Sequence, residues 1–172
     1  MDLLERFAGG DVDAFETLFR RHQGEVYGWI VRLVRNPGVA EELTIETFWR
    51  IYRHRQRFDA GRPFGPWARR IATRAAIDHL NASAPVWTVR PPTAPPSDPD
   101  PVEQRELRGC IERAFVALPA RLRAAAILAL VEERPYPEIA EALGISLSAT
   151  KMRVRRAVRA LRARLERMGV GP

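Results

Sequence analysis

The sequence predicts an all-α protein of two small helical modules joined by a proline-rich linker, the second module carrying a helix-turn-helix. Three observations carry that expectation. Apolar residues recur at helical spacing in both halves of the 172-residue chain, while alternating strand-like patterns are missing. Seven of the 14 prolines crowd between Pro85 and Pro101. From Pro137 to Ala157 the chain reads PEIAEALGISLSATKMRVRRA, a short apolar-faced helix, a glycine and then a basic helix.

The elements follow in order. Phe15, Leu18, Phe19, His22, Val26, Ile30, Leu33 and Val34 trace one face of a long helix from about Asp11, and Asn36-Pro37-Gly38 ends it. Val39, Leu43, Thr47, Phe48, Ile51 and Tyr52 mark a second helix, stopped near Phe58-Asp59-Ala60-Gly61. A third runs from about Pro63 to Leu80, with Trp67, Ala68, Ile71, Ala75 and Leu80 inward. Residues 1–83 therefore form the first module. Residues 84–102 form the linker, because proline can propagate neither a helix nor a sheet ladder and favours an extended, semi-rigid spacer. Trp87 is unusual in such a segment: it docks on a partner or folds back onto the first module, and the sequence leaves both open. Residues 103–172 form the second module, with helices over about Glu103–Ala117, Ala120–Glu132 and Pro137–Leu143 before the basic one. Pro137 suits a first helical turn, where no backbone N–H is needed, and Gly144 accepts the left-handed conformation that closes a helix. Ser146 is placed to cap the helix that follows.

Charge is unevenly shared. The net charge is +7, divided as +2 over residues 1–81, −2 over 82–103 and +7 over 104–172. The last helix carries Lys151, Arg153, Arg155, Arg156, Arg159, Arg162, Arg164 and Arg167 against the single acid Glu166, the imbalance a polyphosphate partner requires. A basic helix can also be a solvated face or lie on an anionic membrane. Neither needs the sharp turn and the apolar helix before it, whereas insertion into a DNA major groove uses both.

Other chemistry is sparse. The lone Cys110 permits no intramolecular disulfide, and its spacing to Leu107, Ile111 and Ala114 reads as buried packing. His22, His54 and His79 lack metal-ligand spacing, no glycine-rich phosphate loop is present, and Asp78 and His79 point about 100° apart on a helix. The expectation is no catalytic site, no metal and no cofactor. No stretch approaches the roughly 20 apolar residues of a membrane span, and MDLLERFAGG has no apolar signal core. A cytoplasmic protein with no membrane insertion is expected. The segment RHRQRFDAGRPFGPWARR, Arg53 to Arg70, interleaves arginines with Phe58, Phe64 and Trp67, and single-stranded DNA needs cations and stacking surfaces together. Trp67 reads as core packing or as a stacking wedge.

Two segments, Ala40–Leu80 and Leu118–Leu165, together resemble the two modules of extracytoplasmic-function (ECF) sigma factors of the sigma-70 family, in the family's order and with a linker where the family has one. The resemblance implies partners: bacterial core RNA polymerase, promoter DNA as duplex and as melted single strand, and an anti-sigma factor. It implies that Glu41, Glu42, Glu46 and Thr47 face the polymerase, although acidic runs are also ordinary solvated faces. It further implies that Arg57, Phe58, Asp59, Arg62, Phe64, Trp67, Arg70, Arg74 and Asp78 meet the −10 element, with a flipped base held between Phe58 and Phe64. Ser148, Lys151, Met152, Arg153, Arg155 and Arg156 would then meet the −35 element, where Arg and Lys can bond guanine O6 and N7. The chain departs from the family's pattern at Glu42, where Asp is frequent, at Ile45, where a polar residue is common, and at Arg74, where many members carry Asn. It departs again at Ala149 and Thr150, where Thr and an apolar residue are usual, so an inward Thr150 must satisfy a buried hydroxyl. A stand-alone helix-turn-helix regulator that reads duplex DNA without polymerase is the alternative.

Overall fold

The computed structural model describes residues 2–83, 87, 88 and 101–171, and every regular element among them is helical. The first helix, α1 (Leu3–Ala8), goes unannounced by apolar periodicity, because six residues make less than two turns. Its signal lies in the cap: the Asp2 side chain accepts from the helix backbone while Glu5 reaches back to the Asp2 N–H. Helix α2 (Val12–Val34) is capped by Asp11, whose carboxylate accepts from Ala14 N at 3.1 Å, and ends at Arg35 in the left-handed region. Asn36 caps α3 (Pro37–Arg53), with Pro37 in the first turn. This helix stops earlier than the glycine at 61 suggests, giving way to a single 3-10 turn at Arg55–Arg57. Helix α4 spans Phe64–Ala82, with Pro63 just outside it. The three long helices pack pairwise, and α1 lies on α2.

The second group comprises α5 (Val102–Val116), α6 (Ala120–Ala126), α7 (Tyr136–Leu143) and α8 (Leu147–Arg167). The helix anticipated over Ala120–Glu132 is regular only to Ala126; Ile127–Val131 widens into a π turn, with Glu132 N–H donating to Ile127 O at 2.9 Å. Arg123, buried on α6, closes the end of α5 by donating to the carbonyls of Val116 and Leu118 at 2.9 and 3.0 Å. Burial pushes its guanidinium below its ordinary pKa. Cys110 is half-buried rather than in the core, its Sγ accepting from Arg113, because the fully inward positions of α5 are Ala114 and Phe115.

The two groups touch. Helix α4 lies against α6 and α7, and Arg35 pairs with Glu132 at 2.7 Å across the contact. The anticipated linker lies outside the described residues except for Trp87, Thr88, Pro101 and Val102. Trp87 is 3% exposed and stacks on Phe115 of α5 with ring centroids 4.7 Å apart, while the Arg35 guanidinium stands 5.6 Å from its ring. Its seat thus has one wall from each group, more than a fold-back onto the first module alone.

Candidate nucleic-acid interface

The turn between α7 and α8 is built from its own residues. Gly144 takes φ 66°, a region open to glycine at little cost, and its N–H closes on Ala140 O and Glu141 O. Ser146 Oγ accepts from Ala149 N at 3.1 Å and starts α8. Thr150 is fully buried, and its hydroxyl donates to Ser146 O at 2.9 Å, so the departure at this position leaves no orphaned polar group. Thr150, Val154, Ala157 and Leu161 form the buried stripe of α8, facing α6 and α7. Ser148, Lys151, Met152, Arg155 and Arg156 are left together on the solvent side. Arg153 stands at the edge, half-buried; burial first and the charge of Arg121 second push its pKa down.

A second concentration of cations lies between α3, the following loop and α4. A cleft of about 740 Å³ is lined there by Arg50, Arg53, Arg57, Arg70 and Arg74 with Trp67, and Leu143 and Gly144 close it from the other module. An adjoining cavity of about 570 Å³ runs past Phe58, Asp59 and Arg62 to Ser146. Asp59 shapes the loop by accepting from Gly61 N at 3.0 Å and stands 3.5 Å from Arg62. Arg50 bonds Glu46 and Asp78, each at 2.9 Å; burial alone would lower its pKa, but these two carboxylates hold it above its ordinary value. Among the described residues Arg53, Arg57 and Arg70 make no ion pair, so their charge is available to an anion.

The anticipated −10 set therefore assembles, with one correction. Phe64 is 4% exposed and lines neither cavity. It opens α4 and points at α1 and α2, where its ring meets Phe7 of α1 at 5.7 Å and His22 of α2 at 4.8 Å. Phe58 is also buried, though it borders the smaller cavity. Trp67 packs on Phe58 at 4.8 Å and on Phe7 at 6.3 Å, the core role the sequence left open, and it also walls both cavities.

The polymerase set divides. Glu41 and Glu42 are exposed on α3. Glu46 is turned toward the cleft by Arg50. Thr47 is fully buried on the stripe shared with Ala40, Thr44 and Ile51, so it packs the helix and cannot meet a partner. Sequence reasoning missed that Ile45 and Trp49, 60% and 61% exposed, lie on the outward side of α3 beside the two glutamates. They border an apolar groove of about 420 Å³ lined also by Val12, Phe15, Phe19, Phe48 and Tyr52. The available signal was that Ile45 and Trp49 fall off the inward helical stripe. Among the described residues no group of His, Cys, Asp and Glu could hold a metal ion, and no helix is long and apolar enough to cross a membrane.

Residues 18–84 match the family model for sigma-70 region 2, and residues 108–161 match that for sigma-70 region 4. The RNA polymerase sigma factor CarQ of Myxococcus xanthus is 38% identical over 166 residues, covering 92% of this chain and 93% of that protein. The ECF RNA polymerase sigma factor SigW of Bacillus subtilis is 29% identical over 170 residues, covering 91% of each. Among solved structures, CnrH in complex with the cytosolic domain of CnrY aligns with a TM-score of 0.59 at 22% identity over 95% of both chains, a likeness of fold.

Proposed function

Because this chain belongs to the extracytoplasmic-function group of the sigma-70 family, we propose that its two helical modules, residues 1–83 and 103–172, divide promoter recognition between them. It is an alternative RNA polymerase sigma factor, with core polymerase and promoter DNA as partners. The outward face of α8 enters the −35 major groove: phosphate contacts from the arginines position it, and base-edge contacts from Lys151, Arg155 and Arg156 specify sequence. Met152 offers apolar contact, for instance to a thymine methyl. The cleft between α3 and α4 receives the melted −10 strand, its arginines tracking phosphates while Trp67 and the edge of Phe58 stack on unpaired bases. Glu41 and Glu42 dock on a basic surface of the polymerase, with Ile45 and Trp49 supplying apolar contact. RNA synthesis belongs to the polymerase, and this chain contributes binding and melting, with no catalytic group of its own. The protein works in the cytoplasm, and an anti-sigma factor is its regulatory partner.

One observation carries the reading: a capped basic recognition helix and an arginine-lined, aromatic-walled cleft occur on one chain, in the sigma-70 order. The test is run-off transcription with purified core polymerase on genomic fragments, sequencing transcript 5′ ends. Starts that depend on this protein and share two upstream motifs are expected. Duplex binding with no affinity for core, and no such starts, would turn the reading to a stand-alone regulator. Within the same assay Arg155→Ala is expected to lose about 1–3 kcal/mol of promoter binding and to relax one base position. An equal loss on all sequences would make Arg155 a phosphate contact.

A further inference from the structure

The arginine-lined cleft is not basic throughout. Arg70, Arg74 and Asp78 follow one another at four-residue steps along α4, so they share a face, and all three line the cleft. Asp78 stands about 12 Å along the helix from Arg70, at 1.5 Å per residue. A carboxylate repels phosphate, so its place in this lining points to another kind of contact.

Its two oxygens are differently engaged. Asp78 Oδ2 accepts from Arg50 Nη1 of α3 at 2.9 Å, and the same guanidinium donates through Nε to Glu46 Oε1 at 2.9 Å. The Arg50 side chain is the most covered of the three and forks between two carboxylates, which fixes it in place. Asp78 Oδ1 lies 3.9 Å from Arg74 Nε, beyond hydrogen-bond length, and Arg74 is well exposed. Among the described residues Oδ1 therefore accepts no hydrogen bond, while the Asp78 side chain is 48% exposed at the cleft.

An ionised carboxylate only accepts, so its counterpart on an unpaired base is a donor. Cytosine N4 and adenine N6 project an amine from the base edge, and a carboxylate pairs well with cytosine N4. Guanine suits a carboxylate best when both oxygens accept, from N1–H and N2–H together; here Arg50 already holds one of them. Thymine offers N3–H alone, flanked by two carbonyl oxygens that repel the carboxylate.

We propose that Asp78 reads a base in this cleft and that Arg50 is its positioning residue: by holding Oδ2, Arg50 leaves Oδ1 as a single acceptor for the exocyclic amine of one unpaired cytosine or adenine. The inference rests on the reading of the cleft as a site for the melted strand. Arg53, Arg57 and Arg70 then hold phosphates, and the Glu46–Arg50–Asp78 chain supplies selectivity.

The holoenzyme, reconstituted from the full chain and purified core polymerase, is assayed by run-off transcription on the promoter it selects. Every base is placed in turn at each position of the −10 element. Cytosine and adenine are also replaced by their analogues lacking only the amine, 2-pyrimidinone and purine. The wild type is expected to show one position where an amino base gives about tenfold more transcript than guanine or thymine, an advantage the analogues lose. Asp78→Ala is expected to level that position to within about twofold while the others keep their preferences. Arg50→Met frees the second oxygen, so guanine there is expected to rise to the yield of the amino bases, with thymine still refused. Arg50→Lys keeps the charge without the fork and is expected to admit guanine in part, which tests the same point if Arg50→Met fails to fold. No amine-dependent position, or an equal loss at every position in Asp78→Ala, would overturn the base-reading role. Guanine still refused in both Arg50 variants would overturn the positioning role. No transcript from any template would overturn the proposal together with the reading of the cleft beneath it.

Discussion

Truncating Phe7 to alanine is expected to destabilise the first module by about 3–5 kcal/mol, the range for a large aromatic removed from a packed core. Phe7 is fully buried. Its ring stands 6.2 Å from Phe15, 5.9 Å from Phe58, 5.7 Å from Phe64 and 6.3 Å from Trp67, so one truncation empties the centre of a five-ring cluster. Domains of this kind are stable by about 5–15 kcal/mol in total, which makes the loss a large share. Urea unfolding followed by circular dichroism measures it. The consequence reaches the site, because Phe58 and Trp67, which wall the cavity beside the arginine-lined cleft, lean on Phe7 from behind. Promoter melting is therefore expected to weaken at temperatures where the helices remain formed. A loss below about 1 kcal/mol, within the ordinary range of single substitutions, would mean that α1 is peripheral to the core.

Charge reversal at Glu41 and Glu42 together is expected to weaken binding to core polymerase by about 100-fold, on the order of 3 kcal/mol. Both side chains are exposed, so unfolding midpoints should stay within about 0.5 kcal/mol of the wild type. That separation distinguishes a lost docking surface from a lost fold. Glu46→Lys alone should behave differently, because Glu46 bonds Arg50 and so orders the wall of the cleft. Its expected signature is weaker promoter opening with core binding largely retained. Unchanged binding of the Glu41 and Glu42 double variant, measured by fluorescence anisotropy against purified core, would remove this face from the docking site.

Most of the helical layout could be read from residue order, because long helices repeat their apolar stripe over several turns and caps such as Asp11, Asn36 and Ser146 mark their starts. What escaped depends on single turns or on distant contacts. Helix α1 is too short for its periodicity to rise above chance, and the π turn at Ile127–Val131 is invisible in a run of apolar residues that suits an α-helix equally well. The outward set on α8, Ser148, Lys151, Met152, Arg155 and Arg156, came from the resemblance, and its exposure follows from the buried stripe Thr150, Val154, Ala157 and Leu161. The first module was harder, because which aromatic of Phe58, Phe64 and Trp67 turns inward is decided by Phe7, more than 50 residues away in sequence. Thr47 shows a different limit: it falls on the helical stripe with Leu43, Phe48 and Ile51, yet the resemblance gave it to the polymerase, and the packing of α2 and α4 on α3 buries it. The contact between modules had no local signal, since Arg35 and Glu132 each look like an ordinary surface charge until brought together.

The 97 residues that separate Arg35 from Glu132 also impose a schedule on synthesis. A ribosome adding about 5–20 residues per second needs roughly 5–20 s to pass from one partner to the other. Helices α3 and α4 are made within that interval, so from Ala82 onward the first module has its helices while Glu132, Leu143 and Gly144 are still to come. The wall that Leu143 and Gly144 add to the cleft is therefore completed only late in synthesis, after the arginines and Trp67 that line it are in place.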